Sequence, residues 1–196
     1  MPPTRLDAQI RFILEIEQLK SVIRRSELIN LGRYENSAEH SWHIAMLAII
    51  LAEHANAEVD LLRVVKMLLV HDIVEIDAGD TYAYDTTARV DQHDREAAAA
   101  QRIFGLLPAD QASELISLWE EFDARATAEA KFANAVDRLM PLFHNYYSQG
   151  RAWQSHGVTR DQVTERLSPI EEGSTELWTL ARSFIDDAVS QGFLAP

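Results

Sequence analysis

An all-α fold is what this sequence predicts, and three observations carry that prediction. Apolar residues recur mostly at three- and four-residue intervals, which is the helical period. Glycine and proline are few, 7 and 6 in 196 residues, so little of the chain is set aside for turns. The 47% hydrophobic and 25% charged composition fits a globular chain able to bury a core, expected as a single domain over residues 1–196.

The first helix is expected from about Asp7 to Arg25, where Ile10, Ile13, Leu14, Ile16 and Leu19 make an apolar stripe. After a loop through Gly32 to Asn36, a second helix begins at Asn36 or Ser37 and runs through AMLAIILAEHA. Asn36 followed three residues later by Glu39 has the form of a capping box. A third helix spans about Val59 to Ile76 and ends before Gly79. A polar loop, Asp77 to Arg89, leads to a helix from about Asp91 to Phe104. Pro108 opens a fifth helix to about Phe122, and Ala126 to Ser148 forms a long sixth. The tail, Thr159 to Gly192, reads as helical with a break near Pro169 to Gly173. No repeat or linker divides the chain, so a core over about 25–151 and a helical tail over 159–192 are expected in one bundle of six or more helices.

Composition narrows the function. No run approaches the roughly 18 apolar residues of a membrane span, and MPPTRLDAQIRF lacks the apolar stretch of a signal peptide. No membrane partner and a cytoplasmic location are expected. With no cysteine, any metal must be held by His, Asp, Glu or water. A net charge of −13 argues against a nucleic acid partner, since such binding rests on neutralising phosphates with Lys and Arg. It leaves room for a small nucleotide held by one or two local cations.

The stretch KMLLVHDIVEIDAGD, Lys66 to Asp80, sets a histidine and an aspartate directly after four apolar residues. An ionised carboxylate withdrawn from water costs several kcal/mol, about the size of a small domain's net stability, unless a partner holds it. Either Asp72 lies at an exposed edge or a positive charge meets it. His40 lies early in the second helix, in NSAEHSWH, with His43 three residues on, and Asp137 interrupts the apolar pattern of FANAVDRLMPLF. Two histidines and two carboxylates on three helices, His40, His71, Asp72 and Asp137, could meet in a bundle around a divalent cation such as Mn, Co, Fe, Ni or Zn. Taken singly, His40 could join a helix N-terminus and Asp137 could pair with Arg138 or Arg125.

The ordered pattern of AEHSWH, VHDIVE and AVDRL resembles the HD-domain phosphohydrolases, helical metal enzymes that hydrolyse phosphate esters. The longer words RYENSAEHSWHIAMLA, LLVHDIVEIDAGD and KFANAVDRLMPLFHNYYSQG look like the 5′-deoxynucleotidase branch, including the HD domain-containing protein 2 group, over about Arg25 to Arg151. The resemblance implies one divalent metal per chain on His40, His71, Asp72 and Asp137. It implies Glu75 beside the metal water, Asp80 near the reacting end of the substrate, and Arg25 on the substrate phosphate, a role suited to the bidentate guanidinium fork. It also implies a nucleoside 5′-monophosphate as substrate, and a homodimer. Ser26 stands where some bacterial relatives have a tryptophan near the sugar, which leaves the deoxyribose preference open. Two other readings stand beside hydrolysis. A di-iron oxygenase would need His43, His93 or His144 as extra ligands, and a catalytically silent nucleotide sensor would keep the site without turnover. Asp77 is expected to face solvent.

Overall fold

A computed structural model describes residues 4–29, 32–84 and 90–196. Among the described residues the fold is all-α apart from one two-stranded ribbon. Helix α1, Arg5–Glu15, starts at a Thr4–Asp7 capping box and runs into a 3₁₀ turn, Ile16–Ser21. There it departs from the helix expected as far as Arg25. Strands β1, Ile23–Glu27, and β2, Tyr34–Asn36, pair antiparallel, with Ile23 opposite Asn36 and Glu27 opposite Tyr34. Val22 and Ile23 are β-branched and disfavour helix. The Val22 carbonyl accepts from Ser37 N at 3.0 Å and Leu28 N donates to the Arg33 carbonyl at 2.9 Å, so the returning chain supplies the partners that a helix would otherwise provide.

Helix α2, Ser37–Leu51, opens on the expected Asn36–Glu39 capping box, a device worth roughly 1 kcal/mol. The third predicted helix is present as three pieces: α3, Leu61–Val70, a 3₁₀ turn His71–Val74, and α4, Glu75–Ala78. The polar loop that follows is described to Tyr84, and its remainder to Arg89 lies outside the described residues. Next come α5, Gln92–Phe104, α6, Ala109–Ala124, and the long α7, Ala128–Tyr147. The tail holds α8, Arg151–His156, α9, Arg160–Leu167, α10, Ile170–Gly173, and α11, Thr175–Ser190, interrupted near Pro169–Gly173 as expected.

Helix α7 is the axis of the larger apolar cluster. Phe132, Ala133, Val136, Leu139 and Leu142 are buried where it meets α2, α3, α6, α10 and α11. A second cluster under α1 and α5 holds Phe12, Leu19, Ile103, Phe104 and Trp119. Val64, Met67 and Leu68 belong to the first cluster, and Val70, Ile73 and Val74 to the second. The stretch that carries His71 and Asp72 therefore bridges both, and burial on each side, at roughly 1.5–3 kcal/mol per large apolar side chain, holds it rigid. Trp119, Trp153 and Trp178 are core residues, whereas Trp42 is exposed. Among the described residues no helix is long and apolar enough to cross a membrane.

Candidate metal centre

Three packed elements and the ribbon bring the polar residues together. His40 projects from the first turn of α2, His71 and Asp72 from the 3₁₀ turn, and Asp137 from the middle of α7. In a 3₁₀ turn successive side chains are about 120° apart, yet both His71 and Asp72 reach the same point, with His71 Nε2 and Asp72 Oδ1 2.9 Å apart. His40 Nε2 lies 2.9 Å from Asp137 Oδ1, and His71 Nε2 lies 3.7 Å from the same oxygen. Ligand atoms of His40, His71 and Asp72 all fall within 4.8 Å of one another. His40 is fully buried, and His71 and Asp72 nearly so.

This donor set fits a divalent cation. The Leu68 carbonyl, which can only accept, lies 2.9 Å from His71 Nδ1, so that nitrogen carries the proton and Nε2 faces the acids. Without a cation the positive charge must come from elsewhere. Burial disfavours the charged His71 ring, but Asp72 and Asp137 outweigh burial and push it up to about 10. His40 is raised too, since Asp137 and Glu35 overcome burial and the repulsion of Arg24. Burial would raise Asp72, but His71 and Arg24 hold it down at about 2, and both histidines hold Asp137 well below the usual carboxylate range despite its burial.

Further positive charge comes from Arg138, whose Nη1 lies 3.9 Å from Asp137 Oδ2, and above all from Arg24. Arg24 Nη1 lies 2.7 Å from Asp72 Oδ2 and 3.8 Å from both Glu75 Oε1 and Asp80 Oδ1. Along a strand successive side chains point to opposite faces, so Arg24 enters the cluster and Arg25 faces outward. Arg25 stacks over the Tyr82 ring at 5.5 Å and approaches His156 Nε2 at 3.5 Å. A helix through this segment, as expected from sequence, hides that alternation. The same alternation buries Glu35 on β2 and exposes Tyr34. Glu35 did not stand out in the sequence, and Arg24 did so only as the neighbour of Arg25, one residue out of register. The cue was the two-residue period of Arg24–Arg25 and Tyr34–Glu35–Asn36.

Glu75 and Asp80 both reach the cluster. Ser37 Oγ donates to Glu75 Oε2 at 2.6 Å. Burial and the nearby Asp72 charge push the Glu75 carboxyl well above the usual range, against the pull of Arg24, and so favour its protonated form. Gly79, with φ +75° beyond the end of α4, takes a left-handed turn that a side chain would resist and directs Asp80 back toward Arg24. Burial raises Asp80 as well, against the pull of Arg24. Asp77 is exposed, as expected, and pairs with Arg102. Glu121 pairs with Arg63 and accepts from Thr127 Oγ1 at 2.7 Å, which ties α6 to α3 and to the start of α7.

Two cavities meet at this cluster, and Arg24, Asp80 and Asp137 line both. The larger, about 470 Å³, has a polar lining that includes Glu75, Gln92, Glu96 and Arg125. The smaller, about 100 Å³, is walled by Arg25, Ser26, Tyr82, Tyr84 and Trp153.

A family model described as HD domain matches residues 16–178. The crystal structure of the Predicted metal-dependent phosphohydrolase from Magnetospirillum magnetotacticum MS-1 is 52% identical, with a TM-score of 0.95 over 100% of this chain and 98% of that one. The 5′-deoxynucleotidase HDDC2 of Bos taurus is 34% identical over 131 residues, covering 66% of this chain but only 62% of the cattle protein. The Danio rerio protein of that name is 30% identical over 145 residues, 72% of this chain and 70% of its own. A conserved hypothetical protein from Pyrococcus furiosus, 21% identical with a TM-score of 0.66 over 92% of this chain and 99% of its own, shares the fold.

Proposed function

We propose that this chain, which belongs to the HD domain family, is a metal-dependent phosphohydrolase that releases inorganic phosphate from (deoxy)nucleoside 5′-monophosphates. The observation that carries the reading is the convergence of His40, His71, Asp72 and Asp137 beside the largely enclosed Arg24, where two cavities meet. The names of the cattle, zebrafish and Magnetospirillum relatives support it. One divalent ion per chain, Mn, Co, Fe, Ni or Zn, suits the two imidazoles and two carboxylates. When bound, such an ion polarises a phosphoryl oxygen and lowers the pKa of a bound water.

The chain's own residues do the rest. Arg24 holds the substrate phosphate, offsetting the repulsion between an anion and a site rich in carboxylates. Glu75, protonated, donates to the departing 5′ oxygen, and Asp80 orients the attacking water. Arg25, with Tyr82 and Ser26, contacts the nucleoside end of the substrate in the smaller cavity. The test is phosphate release from a panel of ribo- and deoxynucleoside monophosphates with Mn²⁺ or Co²⁺. Turnover is expected, and a panel without turnover by metal-loaded protein overturns the reading. In the same assay Arg24→Gln lowers kcat/KM by at least about tenfold more than Arg25→Gln, as a charge-assisted phosphate contact worth 1.5–3 kcal/mol requires.

We also propose a homodimer through α2. This helix is apolar on both faces: Ile44, Ala45 and Ala48 are buried, while Trp42, Met46, Ile49 and Ile50 are 63%, 40%, 45% and 66% exposed. A helix apolar all round is normally covered on both sides. Light scattering after size exclusion is expected to give a dimer for the wild type and a monomer for Ile50→Asp. A monomeric wild type at micromolar concentration removes the proposal.

A further inference from the structure

On the side of the metal centre away from the cavities, three nitrogens converge on one oxygen. Glu35 Oε2, in a carboxylate only 1% exposed, lies 3.2 Å from His40 Nδ1, 3.6 Å from Arg24 Nε and 3.8 Å from His144 Nδ1. All four atoms are buried, and none has a hydrogen bond of normal geometry among the described residues, so the three nitrogens meet the carboxylate as close charge contacts. A buried carboxylate can accept from several donors, and an unpaired buried donor costs about 1–3 kcal/mol. The mutual arrangement is therefore the one that leaves these groups least unsatisfied.

We infer that Glu35 is the positioning residue of the centre, fixing the ring of His40 and the guanidinium of Arg24 through a single carboxylate. The inference rests on the metal-dependent reading above and deepens it. Because Glu35 can only accept, His40 Nδ1 carries the proton, and Nε2 is the nitrogen turned toward Asp137, His71 and the metal position, free to give its lone pair to a cation once one is bound. Leu68 does the same for His71 through a backbone carbonyl. Glu35 faces Arg24 from the Nε side at 3.6 Å while Nη1 faces Asp72 at 2.7 Å, so carboxylates flank the fork on two sides and favour its pointing into the cluster. The ribbon makes this possible: Arg24 on β1 and Glu35 on β2 are the inward-facing residues of adjacent strands, and Asn36, next to Glu35, caps the helix that carries His40.

Glu35 with His43 and His144 could also be read as a second cation site, since their ligand atoms lie within 4.8 Å of one another. The Arg24 guanidinium on the same oxygen opposes a second cation there, and for that reason the positioning role is preferred.

Co²⁺ binding to the full chain in the absence of substrate tests the inference independently of turnover. Glu35→Gln keeps the shape and one acceptor but removes the charge. It is expected to weaken Co²⁺ affinity 10- to 100-fold, the usual cost of an outer-shell partner. With saturating metal it is expected to raise KM for a phosphomonoester more than it lowers kcat. Co²⁺ affinity within twofold of wild type together with unchanged KM overturns the proposal. So does a stoichiometry of two ions per wild-type chain falling to one in Glu35→Gln with the first affinity intact. Should Glu35→Gln not fold, imidazole ¹⁵N shifts of the Zn²⁺-loaded wild type decide: a protonated Nδ1 on His40 is expected, and metal on Nδ1 refutes the role. Failure of the wild type to hydrolyse any monophosphate would leave these metal and tautomer results standing, and so separates the two readings.

Discussion

Asp72→Ala is expected to abolish phosphate release, with a loss beyond about 100-fold. That is the upper end of the range for changing an outer-shell partner, and Asp72 is expected to bind the metal directly. The change removes a carboxylate 2.9 Å from His71 Nε2 and 2.7 Å from Arg24 Nη1. It thus strips the centre of an expected ligand and of a charge that faces the arginine. Calorimetric titration with Mn²⁺ should show the matching loss of affinity, and near-wild-type turnover by Asp72→Ala with bound metal would remove Asp72 from the ligand set.

Stability in chelator should fall much less than activity. Breaking a buried ion pair costs about 3–5 kcal/mol when the surviving charge is left alone, but Arg24 still faces Glu35 and Asp80. The pH dependence has a definite sign. Asp72 is held at about 2, below the ordinary carboxylate value. Its stabilising contribution is present above the unfolded pKa of about 4 and is lost as pH falls toward 2. The metal-free wild type and Asp72→Ala should therefore differ in melting temperature at neutral pH and converge in strong acid.

Most helices and the meeting of His40, His71, Asp72 and Asp137 were legible because they leave one-dimensional marks: apolar periodicity, the Asn36–Glu39 cap, and charges set inside apolar runs at Asp72 and Asp137. The ribbon was not legible. Val22 to Glu27 has no turn signal on its helix side, and its strand character comes from pairing with Tyr34–Asn36, a contact between segments about ten residues apart. Missing it merged β1 into the first helix, and with it went the alternation that separates Arg24 from Arg25 and buries Glu35. The break of the third helix into a 3₁₀ turn was hidden for a related reason. His71 to Val74 reads as good helix, and it tightens where the sequence passes from one apolar cluster to the other.

Gly173→Ala is expected to be the most destabilising of these substitutions while leaving the chemistry largely intact. A Cβ at Gly173 would lie 2.3 Å from the Lys131 carbonyl oxygen and 2.9 Å from Ala135 Cβ, both on α7. These are parts of a long, buried helix, so the neighbour cannot give way as the tip of a flexible side chain would. The strain must be relieved by α10 moving off α7, which uncovers Ile170, fully buried at the start of α10, and pulls on the bond from Asn56 N to the Gly173 carbonyl at 2.9 Å. Overpacking of this kind costs about 1–3 kcal/mol, and the rigid partner puts this case near the upper end. For a chain of this size that is a fall in melting temperature of roughly 6–12 °C. Asp137 lies two residues beyond Ala135 but belongs to the better anchored element, with Phe132, Val136 and Leu139 fully buried around it. Metal affinity at 20 °C should therefore stay within a few-fold of wild type. A variant that melts normally would mean that α10 has slack the structure does not reveal. One that loses metal affinity would mean that α7, not α10, had moved.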